Sequence, residues 1–306
     1  MRLSIRKRVF LSIFIFGVIL YTPSFGGQDG TCATGFAELV RKVVIEKSFQ
    51  TGRHLTEYLG QFMRAFGDKF PKALKRLGPQ DTWFDGGSGS GLMLMEFHAV
   101  PGPAGEAGRV VEPLAHYESV NQAMWDIASK PPRDRPQTLG FTLTEEPGEF
   151  PVDRWGLDLV ESDTSVQAPA KGLVVPAELP KHRLMKDGRF FEDVPMSEIG
   201  KANLITDFYG ILAYTHDISA VLNRYLEMLP ANGEIFIHLN ADTKINGKTL
   251  GEFLKTIPGL EVEESLQHGV TVRVKKLAPI VKIPPLRLNP LTFKAGSPPH
   301  REFLSN

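Results

Sequence analysis

The sequence predicts an α/β fold, a mostly parallel sheet preceded by a helical extension. Three observations predict it. The run Trp83-Phe84-Asp85-Gly86-Gly87-Ser88-Gly89-Ser90-Gly91 carries an apolar pair into an acid and then glycines at alternate positions. Beyond it, strand-length apolar runs alternate with helical patterns, the order that gives parallel pairing. Before it, Phe36, Leu39, Val40, Val43 and Val44, then Leu55, Tyr58, Leu59, Phe62, Met63 and Phe66, recur at helical spacing.

Taken in order, residues 1–27 have the layout of a signal peptide or membrane anchor. Arg2, Arg6, Lys7 and Arg8 precede the apolar residues 9–21, and small residues follow near Gly26. That run is shorter than a full span, which favours cleavage. A buried N-terminal helix is the alternative. Residues 28–78 should form two or three helices, with the basic positions of residues 69–76 on a wet face. Residues 79–276 form the main domain. Its first strand ends at the glycine turn, and Leu92-Met93-Leu94-Met95-Glu96-Phe97 opens a helix. An insertion around 100–136 holds a helix near residues 117–129. Residues 138–144, closed by Glu145-Glu146-Pro147, alternate β-branched and aromatic side chains and are the preferred second strand over Val110-Val111-Glu112. Next come a strand leading into Asp187-Gly188-Arg189-Phe190-Phe191-Glu192-Asp193, a strand ending in Thr206-Asp207, a helix over 218–229 and a strand after Asn232-Gly233. A short helix over 250–257 precedes two period-two strands, 260–264 and 269–276. In residues 277–306, six prolines (279, 284, 285, 290, 298, 299) forbid helix and point to an extended or mobile tail.

Alternate glycines let the backbone leave a strand, take positive φ and approach a ligand with no side chain between. A dinucleotide fingerprint needs a third glycine one residue further on, where this chain has Leu92. The pattern from Asp85 to Gly91, D-x-G-x-G-x-G, instead resembles the first motif of the class I S-adenosylmethionine (SAM)-dependent methyltransferases. The blocks around Asp187 to Asp193, Thr206-Asp207 and Asn232-Gly233 resemble the central half of that family in the same order. The resemblance covers roughly residues 80–275. It implies a Rossmann-like, seven-stranded, mostly parallel sheet with an antiparallel last strand, SAM as cofactor, and transfer of a methyl group. Asp85, Gly87, Gly89 and Gly91 would cradle the cofactor, Glu145 would bind its ribose, and Phe191 and Asp193 would stand beside its adenine. One departure is Arg189, which occupies a position where many relatives carry an acid.

Methyl transfer needs alignment and exclusion of water more than a dedicated nucleophile. The candidates for acid–base work at the end of the fourth strand are Asp207, nearest the sulfonium, with Tyr209 and His216; Tyr209 and Tyr214 also suit pocket walls. His216-Asp217 has a plainer alternative as a helix N-cap. No nucleophile elbow has the right register at Ser88, and the scattered histidines suggest no metal site.

With 35 basic and 35 acidic side chains in 306 residues, no bulk field favours nucleic acid. One cysteine, Cys32, excludes an internal disulfide framework. The expected partner is therefore a small-molecule or envelope acceptor, with membrane contact through residues 9–21. The oligomeric state is unknown. The N-terminus implies an exported or inner-membrane-associated protein, or a cytoplasmic one if that segment is no signal. The alternative function is an exported, non-catalytic binding or scaffolding domain on the same fold.

Overall fold

The structure is a computed structural model, which describes residues 53–89, 91–101, 118–143, 148–149, 173–174, 182–294 and 300–305. In chain order the main elements are α1 (Leu55–Phe66), α2 (Lys69–Arg76), β1 (Thr82–Gly86), α3 (Leu92–His98), α4 (Glu118–Ala128), β2 (Gln137–Leu143), β3 (His182–Asp187), β4 (Leu204–Phe208), α5 (Ile211–Tyr214), α6 (Ile218–Met228), β5 (Glu234–Leu239), α7 (Leu250–Leu254), β6 (Leu260–Ser265) and β7 (Val270–Lys276). Hydrogen bonding orders the sheet β6-β7-β5-β4-β1-β2-β3. Strands β3, β2, β1, β4 and β5 run parallel, while β7 is antiparallel to both β5 and β6. The Rossmann-like sheet with an antiparallel last strand is thus present. It has eight strands rather than seven, because Gly148–Glu149 adds an antiparallel edge to β3.

Consecutive residues of a strand face opposite sides of a sheet, so each central strand supplies two cores. In β1, Trp83 joins the core under α1 to α4, and Phe84 joins the core under α6 and α7. Strand β5 divides the same way, with Phe236 on the first side and Ile235 and Ile237 on the second. The first core is dense in aromatics. Phe62 meets Phe70, Phe208 and Phe236 at centroid distances of 4.9 to 5.9 Å, and Trp83 meets Phe97 edge-on at 4.9 Å. Burial of each such ring contributes about 1.5–3 kcal/mol.

The helical extension is therefore part of the domain. Phe70, Ala73 and Leu74 of α2 point inward, and Lys69, Lys72, Lys75 and Arg76 are exposed. The N-terminus of α1 is pinned by the buried Glu96 of α3, which accepts from the Leu55 N–H (2.6 Å) and contacts His54 Nδ1 (2.6 Å). That contact raises the His54 pKa. Residues 34–52, expected to be helical, lie outside the described residues, as do residues 1–27 and 102–117. Among the described residues no helix is long and apolar enough to cross a membrane.

The proline-rich end differs from the expected tail. Leu286–Leu288 pairs with Arg301–Ser305, which pairs in turn with Thr243–Ile245 in a second, three-stranded sheet. Ile283, Leu286, Leu288 and Phe303 are buried in the core beside α6 and α7. Apolar residues at alternate positions give these strands one buried face, and the prolines at 284, 285 and 290 fall just outside the strands.

Candidate functional site

Because β1 to β4 are parallel, their carboxyl ends share one edge. Chain order runs outward from β1 in both directions, to β2 and β3 on one side and to β4 and β5 on the other. Ligands of such sheets bind at this switch point. A cavity opens there, floored by the ends of β1 and β2 and walled by the loops after β3 and β4, with Arg53 reaching in from before α1. The space between its walls is about 550 Å³ out to the open mouth, but only about 50 Å³ admits the centre of a water molecule. Ligand sites usually run from about 300 to 1,000 Å³. The cavity is therefore a slot, suited to a flat group between aromatic walls, and bulkier ligands require those walls to part.

The glycine turn forms as its residues dictate. Gly87, Gly89 and Gly91 all have positive φ (97°, 55° and 78°). The N–H groups of Gly87 and Ser88 both donate to the Phe141 carbonyl at 3.0 Å, and the Thr142 hydroxyl donates to the Gly89 carbonyl at 2.9 Å, which ties the turn to β2. Gly87 and Gly89 line the cavity; Gly91 caps α3, and Ser90 lies outside the described residues. The glycine at 87 also has a second cause. A Cβ there would overlap the Gly210 backbone, and a Cβ on Gly210 would overlap the Gly86 carbonyl. Two loops from adjacent strands meet at glycine on both sides.

Asp85 and Asp207 stand below this contact, not in the cavity lining. Asp85 is fully buried; it accepts from the Thr206 hydroxyl (2.5 Å) and the Tyr58 hydroxyl (3.1 Å), and Trp83 Nε1–H supports Thr206 at 3.0 Å. Burial raises its pKa to about 6. Asp207 is equally buried. Its Oδ1 accepts from Gly210 N–H (2.9 Å), and its Oδ2 accepts from Leu212 N–H (2.9 Å) and Tyr225 O–H (2.7 Å). Burial raises its pKa to about 7. Both acids thus shape the loops from beneath. Asp207, expected nearest the reacting centre, and Asp85, expected to touch the cofactor, do not line the cavity, and every carboxylate oxygen of both is engaged by the protein.

The turn after β3 places its acids differently from the sequence reading. Phe191 is buried and lines the cavity, 5.2 Å from Phe141, whereas Asp193 is exposed and turned away. Glu192 is the acid that faces the cavity. Its side chain is 6% exposed, Oε1 accepts from the Thr215 hydroxyl at 2.6 Å, and Oε2 is buried with no hydrogen-bond partner among the described residues. Burial raises its pKa to about 7. Arg189 does not compete for this position; it turns outward onto Asp187 (2.6 Å) and Glu198 (2.7 Å). The Asp217 carboxylate caps α6 by accepting from Ala220 N–H at 2.9 Å. His216 lies behind the wall, with Nδ1 3.5 Å from Glu192 Oε1 and its ring 4.8 Å from Phe190. Burial lowers its pKa, which disfavours the charged form. Glu145 lies outside the described residues.

The far wall is aromatic. Tyr209 has φ of 48°, a conformation costing a side chain about 1–2 kcal/mol, and its N–H donates to the His238 carbonyl at 2.8 Å. Its ring stands 4.7 Å from the His238 ring. The Arg53 guanidinium lies 5.6 Å from the Tyr209 centroid and 5.4 Å from that of Phe208. Tyr214 and Thr215 complete this side. Arg53 and Glu192 are the site residues that sequence reasoning passed over. Glu192 was visible as a displaced acid, while nothing marked Arg53. No group of three or more His, Cys, Asp or Glu among the described residues could hold a metal ion.

No family model and no curated protein matches the chain. Several solved structures resemble it. An rRNA methylase from Streptococcus thermophilus shares 10% identity at a TM-score of 0.35, over 68% of this chain and 95% of that one. A precorrin-6y C5,15-methyltransferase from Geobacter metallireducens shares 10% at 0.32, over 68% and 85%. An SAH-bound methyltransferase from Podospora anserina shares 9% at 0.30, over 84% and 100%. At such scores the fold rests on the strand order of this chain itself.

Proposed function

We propose that the cavity binds the adenosyl part of SAM and that the protein is a SAM-dependent methyltransferase acting on a small molecule or an envelope component. The observation that carries this reading is Glu192 Oε2. It is a buried acceptor with no hydrogen-bond partner among the described residues, on a side chain that lines the cavity at the carboxyl edge of the sheet. A buried carboxylate oxygen left unmatched is costly, and a ligand hydroxyl or amine would satisfy it. Phe190, Phe191 and Phe141 supply flat apolar walls of a kind that suits a nucleobase, and Gly87 and Gly89 leave the floor free of side chains.

When bound, SAM supplies an electrophilic methyl group on a sulfonium. The chain's own part is to orient and dry the site. Tyr209 and Ile211 screen the cavity from water, and the Asp207 hydrogen bonds fix the loop that carries them. Glu192, with a pKa of about 7, can accept a proton near neutral pH, which makes it a better-placed base than Asp207. His216, whose pKa burial lowers, stands behind it, 3.5 Å from Oε1.

A non-catalytic binding domain is the second reading. It is favoured by Gly210 seated on Gly87, which fills part of the crevice that a methionyl chain would need, and by the signal-like residues 1–27, since SAM is a cytosolic donor. Isothermal titration of the full chain with SAM tests the choice. Micromolar binding that weakens at least tenfold in Glu192→Gln supports the enzyme; no heat at millimolar SAM supports the second reading.

A further inference from the structure

Among the described residues, Arg53 and Glu192 are the only charged side chains in the cavity lining, and they do not pair with each other. Arg53 Nη1 donates to the Phe208 carbonyl at 2.8 Å, and its Cζ lies 5.4 Å and 5.6 Å from the Phe208 and Tyr209 ring centroids. Its other N–H donors have no hydrogen-bond partner, and no carboxylate lies within ion-pair distance, among the described residues. Three arginines of the described structure behave otherwise. Arg76, Arg189 and Arg273 each bind one or more carboxylates. A guanidinium anchored by one N–H and set beside two aromatic rings, with its other donors unused, is preorganised for a planar anion, most of all a carboxylate gripped by two parallel N–H donors.

We propose that Arg53 is the carboxylate-recognition residue of this cavity, so that the ligand completing the site bears a carboxylate at the Arg53 end and a hydrogen-bond donor at the Glu192 end. The inference rests on the reading of this cavity as the ligand site. The carboxylate belongs either to the amino-acid end of the cofactor or to the acceptor.

Titration calorimetry on the full chain distinguishes these sources with two matched pairs of probes. S-adenosylhomocysteine and 5′-methylthioadenosine share a nucleoside thioether, and only the first has a carboxylate; phenylacetate and phenylacetamide differ in the same way. Arg53→Gln should weaken at least one carboxylate probe by tenfold or more and leave its neutral counterpart within about twofold. Arg53→Lys, which keeps the charge but loses the fork, should recover part of the loss and covers the case in which the glutamine variant does not fold. Weakened S-adenosylhomocysteine assigns the carboxylate to the cofactor; weakened phenylacetate assigns it to the acceptor. A wild-type protein that favours neither carboxylate over its neutral counterpart overturns the proposal, as does equal weakening of both members of a pair. If neither nucleoside binds the wild type, the adenosyl reading fails, and the phenylacetate pair still decides the role of Arg53.

Discussion

Asp207 spends both carboxylate oxygens on the protein, and its titration should be visible in stability. An unfolded aspartate titrates near 4, whereas burial raises Asp207 to about 7 in the folded protein. Between those values the folded chain holds the extra proton, so this group's contribution falls as pH rises through the window. Asp207→Asn removes the titration. The stability of the variant relative to wild type should therefore shift in its favour, by on the order of a few kcal/mol, between about pH 5 and about pH 8. Urea denaturation at both values measures it, and a difference independent of pH would contradict the buried, raised aspartate. Gly210 offers a second check. Gly210→Ala would force a methyl group into the Gly86 carbonyl, with an expected loss of about 3 kcal/mol or more, read as a lowered thermal midpoint. At this scale the sequence was legible in part. The alternate glycines announced a tight turn, and the turn is there with positive φ. That Gly87 is required by Gly210 was not legible, because the partner glycine lies on another loop far along the chain. Asp193 and Glu192 are adjacent, and only the short 3-10 turn at Phe191–Asp193 decides which one faces inward.

Among the elements, the carboxyl-terminal strand is the one whose role exceeds its sequence signal. Arg301 is 1% exposed; it donates to the carbonyls of Leu212 (2.6 Å) and Thr215, which end the helix beside the cavity, and it lies 5.2 Å from the Phe303 ring. Burial lowers its pKa to about 9, so it remains charged at neutral pH. Arg301→Met keeps the stem and deletes the donors. It should cost about 2–5 kcal/mol and weaken the cavity wall, read by faster amide exchange across residues 211–215. Wild-type exchange there would mean the strand is only a covering. Prolines hid this strand by suggesting an extended or mobile tail, since strand propensity over five residues is too weak a signal against them. The longer strands were legible because their patterns are long. The run over 138–144 falls on β2 at Gln137–Leu143, and the helix expected over 218–229 is α6 at Ile218–Met228.

At the level of the whole molecule, the sheet order puts the ends of β1 to β4 at one edge and leaves a slot with largely aromatic walls between them. The order was legible from the alternation of strand and helix together with a family resemblance, because right-handed crossovers permit few arrangements. The dimensions of the slot were not, since they depend on how loops from distant strands pack. The central claim is that a nucleoside lies in this slot with a donor on Glu192 Oε2. The most direct measurement is a crystal structure of the full chain with S-adenosylhomocysteine. The account predicts ligand density between the loops after β3 and β4, with a ligand hydroxyl or amine within hydrogen-bonding distance of Glu192 Oε2. Density elsewhere on the molecule, or an empty slot at millimolar ligand with Glu192 Oε2 still unpartnered, would contradict it.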